Sequence, residues 1–384
     1  MNANHPTLPG IDVLVQQNFA PLRGKRVGLF TNPSGVTRDL VQTLDLFRAA
    51  DVPFRLAALF TPEHGLTASA ADGDPVKSSV DPISGVPVYS LYGETFAPTS
   101  AMLNGIEMIV CDIQDIGIRY YTFAWTISHI LEAAGLADVP VLILDRPNPI
   151  GGGVDGALLD RCFASLIGRA AIPVQHGLTL GELMRTYNTL WNESPAALSV
   201  IPCAHYQRAQ TWEDAGLPFV PPSPAMPHLS TARQYPGACL LEGTNLSEGR
   251  GTALPFEIAG APFIDSEALA AHLNALDLPG VRFRPHVFAP FSSKFAGEVC
   301  HGVQVHITGA EFRPLRVWMQ VIQAIRLLYP EDFLWKPGTF DRLYGNEDGR
   351  AWVESGAGIE DLLEKWEADA ESWRAARQPF LLYD

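Results

Sequence analysis

The stretch Lys25-Arg26-Val27-Gly28-Leu29-Phe30, followed at once by Thr31-Asn32-Pro33-Ser34-Gly35, decides the fold. A short apolar run bounded by turn-forming residues has the pattern of a buried strand. The apolar positions that follow, Leu40, Leu44, Phe47 and Ala50, recur at helical spacing, so the order is strand, loop, helix. The same grammar returns downstream. Phe54 to Phe60 stops at Thr61-Pro62-Glu63-His64-Gly65, Met108 to Val110 runs into Cys111-Asp112-Ile113-Gln114-Asp115, and Val139 to Leu144 ends at Asp145-Arg146-Pro147-Asn148-Pro149. Apolar strands separated by helical segments predict βαβ units, and therefore an α/β fold with a parallel sheet covered on both faces. In such sheets ligands bind beyond the carboxyl ends of the strands. Every polar cluster falls on that edge, which gathers Asn32, Ser34, Glu63, His64, Asp112, Gln114, Asp115, Asp145, Arg146 and Asn148 along one rim.

Further along, Gly181 to Trp191 reads as a helix in which Thr179 is the N-cap and Glu182 stands at capping-box spacing. Ser199 to Cys203 adds a strand. The proline-rich segment Pro218 to Pro227 marks a boundary between lobes, because proline fixes φ and removes a backbone donor. Two lobes are also what 384 residues imply, since one hydrophobic core rarely exceeds about 250–300 residues. The expectation is a parallel-sheet domain over residues 1–225 and an α+β domain over 226–384 that completes a cleft. The second domain mixes a strand-like run, Gly302 to Ile307, with helix-like stretches at Pro314 to Leu328 and Ile359 to Arg374.

Composition excludes several classes of function. With 47% apolar and 18% charged residues the chain is an ordinary globular protein. Its formal charge of −15 repels phosphate backbones and anionic lipid, which speaks against nucleic-acid and membrane roles. An anionic substrate would need local arginine or lysine. Five widely separated cysteines, with no C-x-x-C pair, read as buried free thiols. Met1 to Gly10 lacks the pattern of a secretory signal, and no stretch of about 20 apolar residues could span a bilayer, so the chain reads as cytoplasmic. G-x-G-x-x-G, the P-loop, G-x-S-x-G and H-E-x-x-H are all missing. No cofactor and no metal are expected, and the partner is a small-molecule substrate.

Glu63 is the strongest candidate acid. A carboxyl on a Pro- and Gly-bounded turn directly after a buried strand is open to desolvation, which raises its pKa toward that of a general acid; capping of a nearby backbone fits the same position. His64 either contacts substrate or braces the turn. A second polar segment, Leu241 to Thr252, holds Glu242, Asn245, Glu248 and Arg250 among three glycines, and suits a hydroxyl-rich ligand or a solvated loop. Arg250 there can take a carboxylate bidentately. Arg119 precedes Tyr120-Tyr121-Thr122-Phe123, a cation beside an aromatic wall on the same rim. His176, just before the Gly181 helix, reaches the cleft or serves as a structural histidine.

Gly10-Ile11-Asp12-Val13-Leu14, Thr31-Asn32-Pro33-Ser34-Gly35, Pro62-Glu63-His64-Gly65, Asp112-Ile113-Gln114-Asp115, Asp145-Arg146-Pro147-Asn148-Pro149, Glu242-Gly243-Thr244-Asn245 and Glu248-Gly249-Arg250-Gly251-Thr252 together resemble the exo-β-N-acetylmuramidase family of the NamZ type. The similarity runs from about Gly10 to the closing Arg377 to Tyr383. It implies a Rossmann-like amino-terminal domain with a smaller α+β domain, and release of terminal N-acetylmuramic acid from the non-reducing end of peptidoglycan fragments. The family's proposed catalytic glutamate matches Glu63. The substrate's lactyl carboxylate gives a reason for Arg250 or Arg119 in an acidic chain. Two departures stand out: Leu66-Thr67-Ala68-Ser69-Ala70 where members usually have an Arg-Gly pair, and Ala225 where an asparagine is usual. Many relatives are exported, so a member without an export signal is expected to act on disaccharides recovered for recycling.

The mechanism this implies has Glu63 protonating the glycosidic oxygen. A second carboxylate, Asp115, Glu242 or Glu248, activates water or steadies the developing charge, unless the substrate's own acetamido group attacks. A non-catalytic two-lobed sugar- or muropeptide-binding protein and an ester or amide hydrolase are the rival readings. Product analysis on a muramic acid–glucosamine disaccharide separates all three.

Overall fold

Period-two alternation along the strands builds two cores at once. The computed structural model describes residues 5–70, 73–74 and 76–384. Its strands are β1 (Arg26–Thr31), β2 (Arg55–Thr61), β3 (Ser79–Val80), β4 (Pro87–Ser90), β5 (Met108–Asp112), β6 (Val141–Leu144), β7 (Asp155–Leu158), β8 (Pro173–Gln175), β9 (Leu198–Ile201), β10 (Ile258–Ala261), β11 (Val281–Phe288) and β12 (Cys300–Ile307). Val27 and Leu29 of β1, Leu59 of β2, Val110 of β5 and Leu142 and Leu144 of β6 pack on one face with Ile11, Leu14 and Phe47. The intervening Phe30, Phe60, Ile109, Cys111, Val141 and Ile143 pack on the other. Both faces of these strands are therefore buried, as a helix-covered parallel sheet requires.

The large sheet runs β3-β4-β2-β1-β5-β6-β9. Its neighbours are parallel except for β3 on β4 at the edge. The order reverses between β1 and β5, which is the switch point of a Rossmann-like fold. β10, β12 and β11 form a separate three-stranded antiparallel sheet toward the carboxyl terminus. The core on the second face continues from Phe30 through Trp125 and Leu183 to Trp318, Trp366 and Trp373, so the carboxyl-terminal helices share it with the large sheet. Among the described residues, no helix is long and apolar enough to cross a membrane.

Most expected elements are present with shifted ends. The helix Leu180–Leu190 carries the predicted capping box between Thr179 and Glu182, and the helix Pro314–Leu328 has the predicted bounds. The expected helix from Leu40 is shorter, Thr43–Arg48, because Leu40 sits in a left-handed turn at φ 66° that no helix accommodates. Of the five cysteines, Cys162 is exposed rather than buried, being on a short 3-10 turn at the surface.

The carboxyl edge of the sheet is largely sealed by its own polar groups. After β5, Asp112 receives Arg146 bidentately, Nε to Oδ1 at 2.6 Å and Nη2 to Oδ2 at 2.9 Å, and also accepts the Thr43 hydroxyl. After β6, Asp145 accepts Thr179 Oγ1 at 2.7 Å, the Gly181 N–H at 2.8 Å and the Tyr383 hydroxyl at 2.7 Å, tying the last residues of the chain to the sheet. Burial nevertheless pushes Asp145 up to about 6. Asp115 is buried beside Gly117, whose N–H reaches Oδ2 at 2.7 Å, while Oδ1 has no partner among the described residues. Burial raises Asp115 to about 7.

Two predictions come from this sealed rim. Arg146→Met leaves Asp112 charged and uncompensated, and is expected to cost about 3–5 kcal/mol in urea denaturation; Asp112→Asn added to it should recover part of the loss. A buried carboxyl raised above its unfolded value stabilises the fold below about pH 4 and loses that contribution as pH rises toward about 7. Asp115→Asn should therefore gain stability relative to the wild type between about pH 4 and pH 7. The gain is on the order of a few kcal/mol and flat above that window, read as the difference between the two denaturation series.

Candidate active site

One strand end on this rim stays open, that of β2. Beyond Thr61 and Pro62 the chain reverses through His64 at φ 70° and Gly65 at φ 76°. Left-handed backbone is unfavourable for histidine and persists only where the surroundings hold it. Here they do: His64 Nδ1 is 2.8 Å from the Ala70 carbonyl, and the His64 carbonyl accepts the N–H groups of Ser69 at 3.1 Å and Ala70 at 3.3 Å. The turn presents Glu63 to a cavity, where Oε1 accepts the Gly73 N–H at 3.0 Å and Oε2 accepts the Thr122 hydroxyl at 2.9 Å. Thr122 is the first residue of the helix Thr122–Leu136 that follows β5.

That cavity measures about 320 Å³ and lies between the two halves of the chain. Its aromatic lining is Tyr120 and Tyr121 from the turn after β5, Phe123 from the helix that follows, and Tyr235 and Phe256 from the second half, with Tyr235 packed edge-on against Tyr120 at 5.7 Å and Tyr121 at 6.2 Å between ring centres. Tyr235 meets Phe256 edge-on at 4.6 Å between ring centres, and the Arg250 guanidinium lies 4.8 Å over Phe256. Phe256 holds this position in left-handed backbone at φ 62°, its N–H bonded to the Glu248 carbonyl at 2.6 Å.

A second carboxylate enters from the carboxyl-terminal half. Glu242, in the 3-10 turn Cys239–Gly243, lines the cavity and receives Arg250 Nη2 at 2.9 Å. Behind it the charges alternate, with Arg250 3.7 Å from Glu248 and Lys294 Nζ 2.9 Å from Glu248. Burial pushes the Glu242 carboxyl above its usual range, and Arg250 offsets only part of that. Lys294 also donates to the carbonyls of Leu241 at 2.9 Å and Leu246 at 2.7 Å, which fixes the Glu242 turn.

The structure thus brings Glu63, His64, Tyr120, Glu242 and Arg250 to one cavity, with Glu248 behind Arg250. It does not bring the other sequence candidates there. Asn32 Nδ2 donates to the Pro222 carbonyl at 2.9 Å and Asn32 Oδ1 takes the Ser34 hydroxyl at 2.6 Å, so the switch-point crevice is closed by the proline-rich segment. Gln114 Nε2 donates to the carbonyls of Asp115 at 2.6 Å and Pro147 at 3.0 Å, and Asn148 Nδ2 to that of Leu178 at 3.0 Å. Asp115 and Arg146 are engaged as described above. Arg119 is buried, with its guanidinium on the carbonyls of Ala157, Ile172, Leu343 and Tyr344 at 2.7–2.9 Å, and burial lowers it to about 10. His176 is likewise buried, Nδ1 accepting the Leu178 N–H at 3.2 Å, and burial lowers it to about 3. Asn245 is tied to the carbonyl of Asp332 at 2.8 Å and the N–H of Leu334 at 2.9 Å.

Sequence reading passed over Gly73, Thr122, Tyr235 and Lys294. Thr122 carried a usable signal, a hydroxyl at the start of a helical pattern beside the aromatic wall. Tyr235 and Lys294 gave none, since only the folding of the second half onto the first brings them near Glu63. A larger cavity of about 860 Å³ opens between Pro149–Gly153 and Ile307–Phe312. No sequence candidate lines it, and its two arginines are occupied, Arg208 by Glu182 at 2.5 Å and Arg233 by Glu213 at 2.6 Å. The smaller cavity, with two carboxyls from different parts of the chain, is the one equipped for acid–base chemistry.

Known proteins match over nearly the whole chain. The family model described as exo-beta-N-acetylmuramidase NamZ, N-terminal, matches residues 27–230, and its C-terminal counterpart matches residues 233–383. The peptidoglycan beta-N-acetylmuramidase NamZ of Bacillus subtilis (strain 168) is 43% identical over 378 residues, 97% of this chain and 91% of that protein. Two crystal structures of DUF1343 family proteins from Bacteroides fragilis NCTC 9343 superpose with TM-scores of 0.90 and 0.79, at 35% and 30% identity, each covering 99% of both chains. The chain belongs to the exo-β-N-acetylmuramidase NamZ family.

Proposed function

We propose that this chain is a glycosidase that releases terminal N-acetylmuramic acid from the non-reducing end of peptidoglycan fragments, with Glu63 as the general acid. The observation that carries this reading is the placement of Glu63, fixed at both carboxyl oxygens, on an aromatic-lined cavity that a second carboxylate, Glu242 from the other half of the chain, also lines. At about 320 Å³ the cavity stands at the small end of the roughly 300–1,000 Å³ of small-molecule sites. That size favours one sugar at a chain end over the interior of a long glycan. Aromatic faces such as Tyr120 and Tyr235 suit the apolar face of a pyranose ring.

In this mechanism Glu63 gives its proton to the glycosidic oxygen as the bond to the anomeric carbon breaks and positive charge builds on the ring. Glu242 takes the part of the second carboxylate, activating water or steadying the substrate's acetamido group. Asp115 is set aside because it does not line the cavity, and so is Glu248, which is outside the lining and paired with Arg250 and Lys294. Arg250 is the cation for the lactyl carboxylate, Arg119 being spent on four carbonyls. Action within the cell on recovered disaccharides is part of the proposal. Five cysteines without a disulfide fit a reducing compartment.

The test is digestion of the muramic acid–glucosamine disaccharide by wild type and Glu63→Gln. The variant keeps the shape and loses the proton, so turnover should fall about 10²–10⁴-fold with the melting temperature unchanged. Near-normal release of N-acetylmuramic acid by Glu63→Gln removes Glu63 from the mechanism, and intact disaccharide after wild-type treatment removes the glycosidase.

A further inference from the structure

Glu63 is held by two groups of different chemistry. The Gly73 N–H at Oε1 can only donate, whereas the Thr122 hydroxyl at Oε2 can donate or accept. A proton donor passes through two states, the neutral acid before transfer and the carboxylate after it. The acidic proton has to face the glycosidic oxygen, so it sits on Oε1 while the Thr122 hydroxyl donates to the carbonyl-like Oε2, and Thr122 goes on donating to that same oxygen once the anion has formed. The Gly73 N–H at Oε1 bonds weakly to the acid and strongly to the anion.

The backbone around Thr122 makes that hydroxyl a fixed partner. Thr122 opens the fifteen-residue helix Thr122–Leu136, with Tyr121 as the N-cap residue making no side-chain capping bond. The Thr122 carbonyl is engaged in the helix, where it also accepts the Thr126 hydroxyl at 3.3 Å. A β-branched side chain on helical backbone has few rotamers, so the direction of Oγ1 is set by the helix. The open N–H groups of the first turn, together with the helix dipole, favour negative charge at that end, where the anion is left once the proton has gone. Glu63 itself rides on a turn held in left-handed backbone, and Thr122 anchors it to a rigid element across the cavity.

We infer that Thr122 is the positioning residue for Glu63: its hydroxyl aims the carboxyl at the glycosidic oxygen and remains bonded to it on both sides of proton transfer. It acts through Glu63 and touches no reacting atom. This rests on Glu63 being the proton donor, and goes beyond it by assigning the group that makes the donor effective.

The experiment compares two substrates whose need for the proton differs. The glucosamine of the disaccharide is a poor leaving group and requires protonation, whereas 4-nitrophenolate, from the 4-nitrophenyl β-glycoside of N-acetylmuramic acid, departs as the anion. Thr122→Val, which keeps the shape without the hydroxyl, should lower kcat on the disaccharide by about 10- to 100-fold with KM within about twofold. On the nitrophenyl glycoside the loss should stay below about threefold, and Thr122→Ser should restore the disaccharide rate to within about threefold of wild type. Thr122→Ala serves as a second hydroxyl-free variant if the valine does not fold. Equal losses on both substrates would show a packing role and overturn the inference, as would an unchanged kcat on the disaccharide. Glu63→Gln run alongside separates the two levels: if it loses disaccharide turnover while Thr122→Val keeps it, only the role of Thr122 falls; if Glu63→Gln keeps turnover, the acid assignment falls with it.

Discussion

Arg146 lying bidentate on the buried Asp112 is the constraint around which the working edge of this protein is arranged. A carboxylate that ends a central strand between two packed faces has no water to solvate it, and without a cation its burial would be prohibitive. Supplying that cation from the turn after β6 commits Arg146 to structure and ties two strand ends together. Asp145 repeats the device with hydroxyls and a backbone N–H, recruiting the helix Leu180–Leu190 and Tyr383. Arg119 extends it to Leu343 and Tyr344, more than two hundred residues away in sequence. Polar groups on the carboxyl edge are thus consumed in holding the second half of the chain against the first.

The consequence is a site displaced from where the fold rule places it. The switch point between β1 and β5 is filled by Asn32, Ser34 and the Pro222 segment. The cavity opens one strand over, at the end of β2, where a turn held by His64 swings Glu63 toward the helix Thr122–Leu136. The second half then adds Glu242 and the Arg250, Glu248 and Lys294 series, a nearly balanced set of charges in a chain of strongly negative total. Balance matters here because an uncompensated charge cluster would bias the protonation of any carboxyl lining the same cavity.

The sheet was legible because burial on both faces leaves a periodic trace: the alternating apolar residues of β1, β2, β5 and β6 sort into two cores as the pattern predicts. The capping box at Thr179 was legible because it is local. Glu63 was legible as a carboxyl on a strand-ending turn. What sequence could not separate was Asp115, Glu242 and Glu248 as the second carboxylate, or Arg250 from Arg119. Each set offers the same charge in a polar turn or loop, and what distinguishes its members is the company brought by distant chain, such as the four carbonyls that enclose Arg119. Tyr235 and Lys294 were hidden for the same reason. The short edge strands β3 and β4, which carry no long apolar run, left no comparable mark.

The central claim is that the sugar sits in the smaller cavity with its scissile oxygen against residue 63. A crystal structure of the Glu63→Gln variant with the bound disaccharide measures this directly. The account predicts the muramic acid ring in the cavity that Tyr120 and Tyr235 both line, and the glycosidic oxygen within about 2.6–3.2 Å of the residue 63 side chain. A disaccharide lodged instead between Pro149–Gly153 and Ile307–Phe312, with residue 63 out of reach, would contradict it.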